Sequence, residues 1–226
     1  MKRAIFFLCL LVLTACASTK LSGIIDPKYR NNFQIKKMIV FGYDMSIKEQ
    51  KLLKNALVQS LAGYDIQLYS GLDVFPILNR DYSSTKEIYK VARRIGADTI
   101  LIVNPYHRDV EKMYIPGHYV PASIHSQATG YVDITNTYHV TANSYATPGY
   151  MTPGSNLSMP IMNIRAYLKN TQNGETIWFA EGISEGSEFS SFSDLIIDTA
   201  KKVAKTLFRD GLISKKDSQK IQYIKR

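Results

Sequence analysis

Two short runs, Met38-Ile39-Val40-Phe41 ending at Gly42 and Thr99-Ile100-Leu101-Ile102-Val103, are apolar without alternation, the pattern of strands covered on both faces. Between them lie two amphipathic helices written in the same grammar. Ser46-x-x-Glu49 is a capping box, after which Leu53, Ala56, Leu57 and Leu61 recur at helical spacing and Gly63 supplies a left-handed stop. Ser84-x-x-Glu87 opens the second, with Ile88, Val91, Ala92 and Ile95 as its stripe and Gly96 as its end. Residues 66–69 and 74–77 read as one broken strand, or a strand with an irregular extension, between the two helices. Strands separated by helices of this length predict an α/β layer, not a bundle.

Further on, residues 161–168 and 175–181 read as strands joined through Asn173-Gly174, a strong hairpin signal. Ser191-x-x-Asp194 then starts a long helix with a stripe of Leu195, Ile196, Val203, Leu207 and Phe208, stopped by Gly211. The predicted fold class is therefore α/β: a mixed sheet in the order β-α-β-α-β, followed by a β-meander or hairpin and a long C-terminal helix, in two or three layers. It occupies a single domain over residues 36–213.

Residues 104–160 break the pattern. They hold Pro105, Pro116, Pro121, Pro148, Pro153 and Pro160 together with His107, His118, His125 and His139, all the histidines of the chain. Within this insertion residues 131–145 alternate, with Val132, Ile134, Tyr138, Val140 and Ala142 on one face and Asp133, Thr135, Thr137, His139, Thr141 and Asn143 on the other. They read as one half-buried strand with a wet side. Residues 145–160 read as a long loop. Tyrosine joins a large rigid contact surface to a polar tip and is enriched at interfaces. Tyr106, Tyr114, His118, Tyr119, Tyr145 and Tyr150 are thus the candidate interaction surface.

The chain begins with Lys2 and Arg3, an apolar run from Ala4 to Leu13, and Leu13-Thr14-Ala15-Cys16. The run is shorter than the ~20 residues a spanning helix needs. A basic start, a short apolar stretch and a small residue before the cut make a secretory signal, and the cysteine makes it resemble a bacterial lipoprotein signal with its lipobox. Cys9 does not compete, because Leu8 is too large for the position before a cut. The resemblance implies cleavage after residue 15, acylation of Cys16 and attachment to a membrane through that lipid. Ala17 in place of aspartate points to outer-membrane delivery on the periplasmic face, an inner membrane or Gram-positive surface being the other destinations. Residues 16–35 are mostly polar, with Asp26-Pro27 and Asn31-Asn32 as breakers, and read as a lipidated terminus and tether reaching at most ~60 Å.

The net charge of +9 drops to +7 once Lys2 and Arg3 leave with the signal. Residues 201–226 carry all of it, in nine Lys/Arg against Asp210 and Asp217. This basic end, with a tail over 214–226, reads as a solvated helix face rather than a nucleic-acid surface in an exported chain. With Cys16 the only cysteine left, disulfides, thiolate metal sites and cysteine nucleophiles are excluded.

Chemistry finds few candidates. Gly182-Ile183-Ser184-Glu185-Gly186 matches G-x-S-x-G, but the helix does not begin until about Ser191 and no histidine follows Ser184 to act as base. The gaps of 11, 7 and 14 residues between the histidines do not match metal-site spacing on one element. No phosphate-binding loop is present. The expectation is no catalytic, metal or cofactor site, and no cofactor.

The order of elements, with "IGADTILIV" entering the third strand and "AYLKNTQNGETIWFAEG" as the terminal hairpin, resembles a group of bacterial envelope lipoproteins. The group includes the curli secretion lipoproteins, the penicillin-binding-protein activator lipoproteins and the amino-terminal domain of the Tol β-propeller protein. The likeness spans about residues 36–103 and 161–213. It implies a non-catalytic interaction or assembly module with an envelope protein as partner and the capacity to form a homo-oligomer. The alternative it carries is a subunit of an oligomeric outer-membrane secretion pore; an envelope hydrolase is third. Residues 131–145 have the length of a barrel strand, but Asn136 and Ser144 interrupt its apolar side.

Overall fold

The computed structural model describes residues 17–75, 85–132 and 134–216. The chain divides into a first unit, residues 1–111 and 159–226, and a second, residues 112–158. The expected signal peptide, Cys16, Ser84, Asp133 and the tail beyond 216 lie outside the described residues.

The first unit is built on a six-stranded mixed sheet. In chain order its elements are β1 (Ser18–Ile25), β2 (Lys37–Gly42), α1 (Ile47–Leu61), β3 (Gln67–Ser70), the short α2 (Gly71–Val74), α3 (Thr85–Arg94), β4 (Thr99–Ile115), β9 (Ser155–Asn170), β10 (Thr176–Glu185) and α4 (Phe192–Arg209). The spatial order is β1-β10-β9-β4-β2-β3. β2 is parallel to β3 and β4, while β1 and β9 are antiparallel to β10. The two halves meet at β4 and β9, which run antiparallel. Thr171 N donates to Asp98 O at one level, and Arg165 stacks on Tyr106 at another.

One face is covered by α1 and α4. Leu53, Leu57, Leu195, Ile196, Val203 and Leu207 meet Met38, Val40, Leu101, Ile164 and Trp178 in a single buried cluster. Trp178 is fully buried, yet its Nε1 donates to Asp210 Oδ2 at 2.9 Å, so its polar edge is satisfied. On the other face α3 covers the parallel half through Ala92, over Ile39 and Ile100. The remainder of that face, on β1, β10 and β9, has no helix over it among the described residues. The fold is thus three layers deep on one side and two on the other, as the α/β class requires.

Both outer helices start as their sequences predict. Ser46 with Glu49, and Ser191 with Asp194, close reciprocal capping boxes. Gly96, Gly174 and Gly211 all adopt positive φ at the ends assigned to them. Gly63 does not; α1 ends on Ala62 in a right-handed conformation, and Tyr64 N returns to Leu61 O to tighten the turn. Residues 71–74 form a helical turn, not an extension of a strand.

The larger correction concerns the expected tether. Residues 18–25 are β1, paired along their length with β10 from Ser18↔Glu185 to Ile25↔Trp178. Only Thr19 and Leu21 are buried, which is all that an edge strand with one covered side needs, so its composition looks like that of a linker. The sheet therefore begins two residues after Cys16. Truncating Leu21 to Ala is expected to destabilise the protein by ~2 kcal/mol, at the low end for a buried leucine. Lys20→Ala is expected to be near neutral in the same urea titration. Equal midpoints for both variants and wild type would return the segment to a tether.

Candidate functional site

The second unit contains β5 (Tyr119–Val120), β6 (Ser123–Val132), β7 (Tyr138–Thr147) and β8 (Tyr150–Met151). β6 and β7 form an antiparallel hairpin of ten residues a side, in register from Ser123↔Thr147 to Val132↔Tyr138. β5 and β8 pair below it as Tyr119↔Met151 and Val120↔Tyr150. Pro121 and Pro148, which lack a backbone donor, fall between the two ladders. Residues 131–145 are therefore not one strand and 145–160 not a loop. A turn around Asn136, at φ 63°, reverses the chain inside the expected strand.

Directly paired residues share a face, so the register assigns every side chain. One face carries Ile124/Ala146, Ser126/Ser144, Ala128/Ala142, Gly130/Val140 and Val132/Tyr138. The other carries Ser123/Thr147, His125/Tyr145, Gln127/Asn143, Thr129/Thr141 and Tyr131/His139. The first is apolar apart from its serine pair, whose hydroxyls bond each other at 2.9 Å. The second is polar throughout, with a stacked His–Tyr pair at each end, His125 on Tyr145 at 5.1 Å and Tyr131 on His139 at 5.0 Å. Gly130 is required on the apolar face, because the Tyr138 ring crosses it where a Cβ would stand.

All the side chains of β6 and β7 are exposed, on both faces. A two-stranded hairpin with nothing on either face is marginal in water. Between Met113 and Ser158 the only charged residue is Asp133. That absence of charge, with alternation on both sides of a turn, was a readable signal for β6 that the expectation of a single strand passed over.

The predicted surface residues fall in both units, Tyr106 in the first and the other five in the second. Tyr119 and Tyr150 lie in the β5–β8 ladder, with the Tyr119 hydroxyl against Gly149. His118 N donates to Thr152 Oγ1 at 2.9 Å, and Tyr114 packs on Gly154. Tyr145 belongs to the polar face of the hairpin. Tyr106 is in the first unit: its hydroxyl donates to Glu181 Oε1 at 3.1 Å, Arg165 Nε donates to the same oxygen at 2.9 Å, and the guanidinium lies 4.1 Å from the centre of its ring. Arg165, then Tyr106, hold the Glu181 carboxyl below its ordinary range. This cluster sits on the uncovered part of the sheet among Ile24, Phe179 and Ile183, around an open cavity of about 570 Å³.

Ser184 is not on a strand-to-helix turn. It lies within β10, fully buried, its hydroxyl 2.9 Å from that of Thr19. The histidines stay apart, and among the described residues no group of three or more His, Cys, Asp or Glu could hold a metal ion. No helix among those residues is long and apolar enough to cross a membrane, which says nothing of strands.

Arg108 closes the other side of the first unit, donating through Nη1 to Glu49 Oε1 at 2.5 Å and through Nη2 to Asp44 O at 3.2 Å. Partial burial pushes the Glu49 carboxyl up, but the bonds from Arg108 and from the Ser46 amide and hydroxyl outweigh it and leave the group lowered. A folded-state carboxylate held below its unfolded value adds stability above the ordinary range, and loses it as pH falls through the folded value. Glu49→Gln is therefore expected to be less stable than wild type at pH 7, with the gap closing below about pH 4, read as urea midpoints across pH. A gap independent of pH would show that the charge does not matter.

No family model matches the chain, and no curated relative matches it. Among solved structures it is similar to a PelC dodecamer from Paraburkholderia phytofirmans, with TM-score 0.43 and 15% identity over 84% of this chain and 97% of that one. A variant PelC dodecamer from the same organism gives TM-score 0.37 and 14% identity over 88% and 99%. A PDZ domain protein from Parabacteroides distasonis gives 0.32 and 8% over 90% of this chain and 39% of that one.

Proposed function

We propose that this chain is an envelope lipoprotein, acylated at Cys16, whose residues 112–158 supply one β-hairpin to an oligomeric transmembrane barrel. The observation that carries the reading is the two-faced β6–β7 hairpin, apolar on one side, polar on the other and covered on neither. Strands of ten residues rise ~34 Å. At the usual tilt they cover about the 25 Å apolar band of an outer-membrane barrel. The apolar face would meet lipid and the polar face a wet lumen. Two strands cannot close, so the barrel needs several copies, each adding a pair.

Both objections raised from the sequence lose their force in the register. Asn136 sits at the turn, outside either strand, and Ser144 is satisfied by Ser126 instead of facing lipid unpaired.

A second reading, the non-catalytic assembly module, is favoured by the bare sheet face around Tyr106, where an envelope protein could dock. One experiment separates the two. In planar bilayers, wild type is expected to give stepwise conductance and an SDS-resistant oligomer. Ala142→Arg, on the apolar face near mid-strand, is expected to abolish both, since an arginine facing lipid there costs ~2–4 kcal/mol per copy. Thr141→Arg, on the polar face, is expected to conduct with a shift toward anions. No conductance from wild type, together with normal membrane association of Ala142→Arg, would remove the pore and leave the docking module.

A further inference from the structure

The first unit has two unlike ends. One is reached by the start of β1, the ends of β2, β3 and β10, and the beginning of β9. Its connections hold Tyr43, Ile47 at the first position of α1, and Phe189, exposed by 65%, 46% and 68%. The opposite end is made of the segments 26–36, 62–66, 95–98, 171–175 and 210–216. Among its described residues the large apolar side chains are buried or half-buried, and Phe208 beside it, though exposed, has Tyr64 at 5.2 Å and Lys215 over its ring. Lys28–Glu175 and Lys36–Asp65 ion pairs occupy its surface.

The exposed side chains at the first end are held out by their backbones. Tyr43 N donates to Val103 O at 2.9 Å, and the Asp44 carbonyl that follows is gripped by Arg108. In the 186–191 turn, Ser190 N donates to Ser187 O at 3.0 Å, and the Ser187 amide donates to Ser190 Oγ at 3.0 Å, with Phe189 projecting between them. The charged neighbours of mixed sign, Asp44, Lys48, Lys51 and Glu188, all lie at the surface. Single exposed apolar residues, such as Ile24 in β1 and Val58 on α1, are ordinary, but three gathered in the connections of one end are a footing.

What they rest on follows from where the chain outside the structure ends. From Cys16 to Ser18 is two residues, a reach of ~7 Å. We infer that Tyr43, Ile47 and Phe189 seat this end of the first unit in the headgroup region of the leaflet that holds the Cys16 acyl chains. The inference rests on the acylation proposed above. Tyrosine suits that depth, apolar ring inward and hydroxyl outward, phenylalanine and isoleucine supply purely apolar anchors at the headgroup–acyl boundary, and Lys48 and Lys51 lie where they meet lipid phosphates.

The test uses the processed full-length protein, in which Cys16 is blocked by lipid and an introduced cysteine is the only free thiol. Phe189→Cys, Tyr43→Cys and, at the opposite end, Gln172→Cys are labelled with an environment-sensitive fluorophore. They are then reconstituted in phosphatidylethanolamine–phosphatidylglycerol vesicles containing headgroup-level doxyl lipid, while palmitate incorporation is followed on each. The expected result is palmitate in all three, with a blue shift and quenching at 189 and 43 and neither at 172. Palmitate incorporation with no difference among the positions, or quenching at only one of the two, overturns the footing and leaves the lipoprotein reading intact. Absence of palmitate with quenching at 189 and 43 keeps the surface and removes its lipid anchor. Absence of both removes both.

Discussion

The antiparallel pairing of β4 with β9 is the contact on which the architecture depends. β4 belongs to a parallel set that needs helices between its strands, whereas β9 belongs to a meander that needs only turns, and the pairing makes them one sheet. It also fixes where the second unit leaves the first, because the chain departs through β4 and comes back through β9. Thr171 secures the far end, its amide and hydroxyl both bonded to carbonyls at Asp98 and the hydroxyl also to Ala97. The seam also lies beneath α1 and α4, whose buried side chains join the two halves in one core.

Coverage of the sheet follows from its halves. β2 and the first half of β4 are buried on both sides, as their unbroken apolar runs demand, while β3 at the edge is half-covered. The antiparallel strands alternate, so one side packs on α4 and the other carries Lys20, Ser22, Arg165 and Glu181. Side chains of that kind tolerate water and also recognise other proteins, so chemistry alone does not fix the use of this face. The β6–β7 hairpin is a different case. Its two sides ask for different surroundings, and the proposed barrel, with lipid outside and a wet lumen inside, would supply both.

Where the sequence was legible, the signal was local. Ser46 with Glu49 and Ser191 with Asp194 mark helix starts within four residues, and Leu53, Ala56, Leu57 and Leu61 mark one face within three turns. β1 was illegible because its partner, β10, lies far away in the chain, and an edge strand needs only Thr19 and Leu21 inside. The hairpin was misread for a subtler reason. Val132 and Tyr138 are a facing pair, and the turn between them holds five residues, 133–137. Alternation counted straight through such a turn keeps its phase, so Val132, Ile134, Tyr138 and Val140 look like one side of a single strand. The αL conformation of Asn136 is the local departure, and asparagine is among the few residues that adopt it readily. Phe208 fell out of the α4 stripe because the helix is ending there and its outer side faces Tyr64, not the sheet.

The pairing of Ser18 with Glu185 has a bearing on the order of events during biogenesis. Contacts between residues so distant in the chain form late, since the loop between them must close before they can form. β1 has no other strand beside it in the sheet, so it stays unpaired until β10 has formed. Residues 18–25 are accordingly the last strand of the sheet to find a partner, and their docking on β10 ties the first folded residues to ones made about 165 positions later.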